Sequence, residues 1–371
     1  MGIRSVIFGA IFLLIAACSD RTPAPIVPQA QIQEETVHVF VVTNRGRNSE
    51  GYFSDARSDV ISYSKTLVGI PPAHEVGDAP KYSKKPNLNK HFAIASQSNF
   101  QTDQEFLREL RAELQSRPPN EREVTLFVHG YFNGYSDSVF RSAQMTTDFQ
   151  NPGVGVVFSW PSAGHPAGYT YDRESVLFAR DAMEETLYLL SQAGARNVLV
   201  MGHSMGGLLV MEALRQIELT RPGWTSRNIE TVMLVSPDIA VDLFHEQLER
   251  AGTLPNQFVV ITSKNDRALR FSSKLNSGTN RLGLGNSQDD LSDYPILFVD
   301  VSDFSEDSKN THFVLAESPS LIALMSGAQT HGQFAQGRSR SILDQVSDTN
   351  LQANQAVVYE LSPQEEPENL R

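Results

Sequence analysis

The hydrophobic and polar positions of this chain follow two rhythms, and from about residue 120 they alternate in a regular order. Short unbroken apolar runs read as buried strands: Val37–Thr43, Val124–Val128, Val154–Phe158, Val198–Met201, Ile229–Val235, Phe258–Thr262 and Ile296–Val301. Lys65–Ile70, stopped by Pro71-Pro72, and His91–Ser96 are shorter candidates. Spacings of three and four predict helices at Glu105–Leu114, Ser136–Phe149, Val241–Glu249 and Pro319–Met325, with another opening at Leu208. A long helix carries Val176, Ala179, Met183, Leu187 and Leu190 on one stripe, with Asp172 as its N-cap. Asn44–Ser58, the Gly/Pro segment Trp160–Tyr171 and residues 267–294 read as irregular. Continuous apolar strands belong to a sheet covered on both faces. Strands alternating with helices predict an α/β fold, a mostly parallel central sheet with helices on both faces. No long insertion follows Ile229–Val235, so no large lid is expected. Trp160–Tyr171 and 267–294 are left to wall any pocket, and long acyl chains are disfavoured.

The ends of the chain change the picture. Hydrophobic residues make up 40% of the 371 and charged residues 20%, which suits one large domain, placed at 36–326. Net charge is −12, and the Lys84-Lys85 pair is too short to track phosphates, which excludes nucleic acid as a partner. Residues 1–17 read as an export signal: Arg4, then an apolar run from Val6 to Ala17, too short to span a bilayer. Cys18 is the only cysteine, so a disulfide within the chain is excluded. Leu14-Ile15-Ala16-Ala17-Cys18 resembles the lipobox of bacterial lipoproteins. That resemblance implies a lipidated Cys18, an anchor that holds the protein to a membrane without crossing it, and a place in the bacterial envelope. Ser19 then implies the periplasmic side of the outer membrane in a Gram-negative cell. A plain signal peptide with an incidental cysteine is the alternative. Residues 18–35, with Pro23, Pro25 and Pro28, read as a flexible tether. Residues 327–371 read as a polar, disordered tail, apart from a short strand at Ala356–Tyr359.

The candidate chemistry sits in Gly202-His203-Ser204-Met205-Gly206, a G-x-S-x-G pattern between a strand and a helix. That context is a nucleophile elbow: a sharp turn lifts one serine hydroxyl above the sheet, and the glycines stand where a Cβ would collide with strand or helix. Such a serine needs a base, and the base needs an orienting acid. In this fold they arrive in the order serine, acid, histidine, at strand ends. Ser204, Asp266 and His312 satisfy that order. Asp238, at the end of the preceding strand, is the rival acid, or a cap for the helix near Val241. The oxyanion donors are assigned to the backbone N–H groups of Met205 and Tyr131, with Gly130 letting that loop pass close to the substrate. His129 and His203 read as packing residues. The chain has no G-x-G-x-x-G, no Walker lysine and no Cys/His metal spacing, so no cofactor and no metal are expected. Asp289, Asp290 and Asp293 read as a solvated loop.

Several segments together resemble one family: Phe127–Tyr131, Phe158-Ser159-Trp160-Pro161-Ser162, Tyr171-Asp172-Arg173-Glu174-Ser175 and Gly202–Gly206. Ile70–Gly77, Ser236-Pro237-Asp238 and Ser263-Lys264-Asn265-Asp266 belong to the same likeness. The chain is similar over Val37 to Met325 to the bacterial α/β-hydrolases grouped as domain of unknown function 900. It departs at Gly202-His203, where many relatives would have Ala-His. The resemblance implies an α/β-hydrolase fold and a triad of Ser204, Asp266 and His312. The expected function is therefore a serine esterase acting on a small-molecule ester or acyl substrate. A non-catalytic envelope binding protein, and an acyltransferase or peptidase with the same triad, are the alternatives.

Overall fold

Side chains alternate across a strand, and that alternation divides the apolar runs between two cores. The computed structural model of the chain describes residues 23–286, 289–326 and 357–361. Strands β1 (Glu35–Arg47), β2 (Phe53–Ile70), β3 (Ala93–Phe100), β4 (Glu123–Val128), β5 (Val154–Ser159), β6 (Asn197–His203), β7 (Thr231–Val235), β8 (Gln257–Thr262), β9 (Leu297–Asp300) and β10 (Val357–Glu360) form one sheet. Its order is β10-β9-β8-β7-β6-β4-β5-β1-β2-β3. Pairing is parallel from β10 to β1 and antiparallel through β1–β2 and β2–β3. This is the α/β-hydrolase architecture expected from the sequence.

Leu126, Val128, Val200, Leu234 and Val260 face one core. There they meet α1 (Asp103–Gln115), α3 (Tyr169–Ser191), α4 (Met205–Thr220) and α6 (Val241–Ala251). Val41, Phe127, Val157, Met233 and Ile261 face the other, against α2 (Tyr135–Asp148), α8 (Val314–Glu317) and α9 (Pro319–Met325). The short α5 (Trp224–Asn228) follows α4, and α7 (Arg267–Leu275) follows β8.

Several expectations are corrected. Asn44–Ser58 is no loop: β1 runs on to Arg47 and β2 starts at Phe53, making a long hairpin around Asn48–Tyr52. Its outer half is mostly polar, with Asn44, Arg45 and Phe53 buried, so backbone pairing forms it without a continuous apolar signal. Residues 267–275 are helix, not irregular. Asp172 does not cap α3, which starts earlier, after Gly168; the aspartate is buried in its first turn. Asp238 does not cap α6 either, because the N-cap there is Ala240, with no side-chain bond. Residues 23–35 of the expected tether are not a loose linker. From Pro23 the chain packs on the domain: Ala24 and Ala30 are buried, Pro28–Ile32 form a 3-10 turn, and Ile26 bridges Ile94 of β3. Small residues and backbone bonds do this, which a hydrophobicity reading misses. The export signal, Cys18 and most of the tail lie outside the described residues. The expected strand near Ala356–Tyr359 appears as β10, beside β9.

Candidate active site

Ser204 joins β6 to α4 with φ 54° and ψ −121°, a backbone setting that costs on the order of 1–3 kcal/mol for a residue with a Cβ. The surroundings over-determine it. Its N–H donates to the Val235 carbonyl (3.0 Å), and its own carbonyl accepts from Gly207 N–H (3.0 Å) and Asp238 N–H (3.3 Å). Two glycines make the turn possible. A Cβ on Gly206 would lie 2.3 Å from the Val128 carbonyl oxygen, and one on Gly202 would lie 2.8 Å from Gly207 Cα. Gly130 does something other than expected: its missing Cβ makes room for the elbow itself, since it would meet Ser204 Cβ at 2.9 Å.

His312 follows β9. Its Nδ1 lies 2.7 Å from Asp266 Oδ2. A carboxylate only accepts, so Nδ1 carries a proton, which leaves Nε2 as the acceptor of the neutral tautomer. Asp266 is fully buried, and its other oxygen accepts the Leu269 N–H (2.9 Å), capping α7. Ser204 and His312 line one cavity of about 360 Å³. A larger cavity of about 480 Å³, across the Ser162–His165 segment, contains neither residue.

Asp238 lines the same cavity but has other partners. It accepts from Ser272 Oγ (2.6 Å) and Tyr169 Oη (3.1 Å), and Arg281 Nε lies 3.3 Å away without an aligned hydrogen bond. The geometry thus sets Asp266, not Asp238, against the imidazole. Asp238 instead holds Tyr169, which packs edge-on to Tyr131 in the cavity wall.

Met205 is the first residue of α4, so its N–H has no acceptor within the helix. Tyr131 lies just beyond β4, in the loop that Gly130 presses against the elbow. Its hydroxyl donates to the Pro166 carbonyl, and burial pushes the phenol's pKa up. His203 Nε2 donates to the His312 carbonyl (3.1 Å), and its ring stacks on Phe313 at 4.0 Å. Burial, with His312 adding to it, pushes the His203 pKa well below the usual imidazole value. It is a neutral prop under His312. His129 is buried and stacked on Trp160 (4.9 Å), whose indole N–H donates to its carbonyl (2.6 Å).

Two residues that shape this site were missed from the sequence. The Asp172 carboxylate accepts from Ala163 N–H (2.6 Å), Ser162 Oγ (2.5 Å) and Phe132 N–H (3.3 Å), tying the loop after β5 to the loop after β4. Arg45, buried at the end of β1, donates to the carbonyls of Ser54 (3.0 Å), Ser162 (3.0 Å) and Asn133 (2.8 Å) and to Ser159 Oγ (3.0 Å). Burial lowers its pKa to about 10, against the pull of Asp172. Arg57 of β2 grips the same helix start through Tyr171 O (3.1 Å) and Ser175 Oγ (3.0 Å). So the Trp-Pro-Ser and Tyr-Asp-Arg-Glu-Ser segments build the loops around the serine. The sequence carries these segments as motifs, and their mechanism lies in contacts between distant loops. Among the described residues, no group of three or more His, Cys, Asp or Glu side chains could hold a metal ion.

A strained serine above a mostly parallel sheet, with an acid–histidine pair at neighbouring strand ends, defines the α/β-hydrolase class. Residues 102–329, more than half of the chain, match the family described as alpha/beta hydrolase of unknown function (DUF900), and the chain belongs to that family. Comparison with curated proteins found no match. Among solved structures, it is similar to a predicted CIB-like hydrolase from Thermoplasma acidophilum, at 17% identity over 56% of this chain and 86% of the other, with TM-score 0.31. A putative hydrolase from Agrobacterium vitis S4 is 14% identical over 79% and 97%, also at 0.31. The dienelactone hydrolase-like promiscuous phosphotriesterase P91 from metagenomic libraries is 10% identical over 84% and 95%, again at 0.31. Likenesses of this size carry no argument about chemistry.

Proposed function

We propose that this chain is an exported serine hydrolase that cleaves a carboxylic ester through an acyl-Ser204 intermediate. One observation carries the reading: His312, held by the buried Asp266 at 2.7 Å, lines the same cavity as the strained Ser204. Ser204 Oγ attacks the ester carbonyl and gives its proton to His312 Nε2. The oxyanion accepts from the N–H groups of Met205 and Tyr131, each such donor being worth on the order of 10²–10³ in rate. His312 then passes the proton to the departing alkoxide, and the acyl group stays on Ser204. Water attacks that acyl group by the same route in reverse and frees the acid. Asp266 holds the imidazole tautomer and offsets its developing charge. Cys18 is the proposed point of lipid attachment, which places the enzyme on the envelope membrane, at the periplasmic face of the outer membrane in a Gram-negative cell.

The test is labelling of the full chain with a fluorophosphonate, paired with p-nitrophenyl ester hydrolysis. Ser204→Ala is expected to abolish both. Ester hydrolysis that survives Ser204→Ala overturns the reading. For the anchor, metabolic labelling with an alkyne fatty acid should mark the wild-type protein and not Cys18→Ser; equal labelling of both disproves attachment there.

A further inference from the structure

Most of the large apolar side chains left exposed among the described residues are scattered. Phe271, 63% exposed, and Leu275, 53% exposed, are not: both lie on α7, and both line the cavity that holds Ser204. With Ala268, another exposed lining residue, they occupy positions i, i+3 and i+7, one stripe of a helix. Leu269 and Ser272 turn inward and are buried. The stripe is about 10 Å long at 1.5 Å per residue. Its nearest end is fixed to the chemistry. The Asp266 carboxylate caps α7 with one oxygen and holds His312 with the other, so stripe and imidazole form one unit. Phe132 and Pro166 line the same cavity from other loops.

We propose that α7 is the chain-binding wall of the site: Ala268, Phe271 and Leu275 cover an aliphatic chain of the ester. The substrate is then an ester with a medium-length aliphatic chain, rather than a small acetyl ester. This rests on the hydrolase reading and narrows it. It also gives an apolar wall to residues 267–275, where the sequence reads as an irregular loop and the absence of a lid disfavours long acyl chains. The occupant follows from continuity: the stripe begins beside the triad and runs outward along the cavity. The chain can lie on the acyl or the alkoxy side of the ester.

Two substrate series separate those sides: p-nitrophenyl esters from acetate to decanoate, and alkyl acetates of matching length. On the side that meets α7, kcat/KM should rise roughly fourfold per methylene until the stripe is covered. The double variant Phe271→Ser/Leu275→Ser should lower the decanoate-to-acetate ratio by about tenfold or more. Both side chains are solvent-facing, so an unchanged Tm checks that the variant folds. Calorimetric binding of butanoate to dodecanoate, and of the matching alkanols, supplies a readout without turnover. If no ester is hydrolysed yet affinity rises with chain length and falls in the double variant, the hydrolase reading fails with the ester assignment, and only the chain-binding wall stands. If esters are hydrolysed but neither rate nor affinity responds to chain length or to the double variant, the chain wall is overturned. The stripe then belongs to a membrane surface or a second copy, and the hydrolase reading stands.

Discussion

Two buried aspartates end two neighbouring parallel strands, and they have different work. Asp238 follows β7 and Asp266 follows β8; both are nearly or fully inaccessible. Asp266 receives the His312 N–H and the first turn of a helix. Asp238 receives two hydroxyls and lies against Arg281, itself 2% exposed. Position at a strand end admits either to the active site. What separates them is which partner reaches each one: an imidazole in one case, a fixed cation and a tyrosine in the other.

The comparison is tested most severely by Asp266→Asn. Loss of the tautomer-holding acceptor should lower kcat by roughly 10³–10⁴ in an ester assay, while Asp238→Asn changes kcat far less. A larger kcat loss at Asp238 would exchange the two assignments. Next in size, Asp238→Ala leaves Arg281 buried without its counter-charge, and urea unfolding should show a loss of about 3–5 kcal/mol. Tyr169→Phe removes a hydroxyl shared by Asp238, Ser272 and Asn276. It should cost about 1 kcal/mol in stability and show in KM more than in kcat, because it moves a wall and not the reacting groups.

The smallest effect concerns pH, at the His312 end alone. His203 is held neutral in the fold, with its pKa below the unfolded value of 6.5. The unfolded chain therefore binds the extra proton first as pH falls. The stability is fully present above pH 6.5 and is lost below it, by at most about 1.4 kcal/mol per pH unit for this group. His203→Gln should flatten that part of the stability–pH curve in chemical denaturation at pH 7, 6 and 5.

The same contrast explains what could be read from the sequence. Ser204, Asp266 and His312 were legible because their order and strand-end placement follow from a sheet whose apolar runs are plain. The rival at Asp238 could not be dismissed, because Arg281 reaches it from 43 residues further along the chain. Helix α7 was hidden for a related reason: of the apolar residues in Arg267–Leu275 only Leu269 is buried, while Phe271 and Leu275 face solvent, so no buried period appears. The β1–β2 hairpin is held by backbone pairing across polar residues. Arg45 and Asp172 act through carbonyls, amides and hydroxyls of distant loops, contacts that no local pattern announces.

The two ends of the described chain have a consequence for handling the protein. Ile26 and Val27 sit against the outer strand β3, with Val27 N–H bonded to the Ile94 carbonyl. At the opposite border, β10 pairs with β9 from Leu297 to Asp300. Each covers part of an unpaired strand border, the kind of surface on which sheets of separate molecules stack into aggregates. The family match begins at residue 102, so a fragment cut to it would lose β1–β3 and β10 together. It would expose β5 and β9, two apolar parallel strands that are paired on both sides in the full sheet. Such a fragment is expected to precipitate, while the longer chain carries its own borders with it.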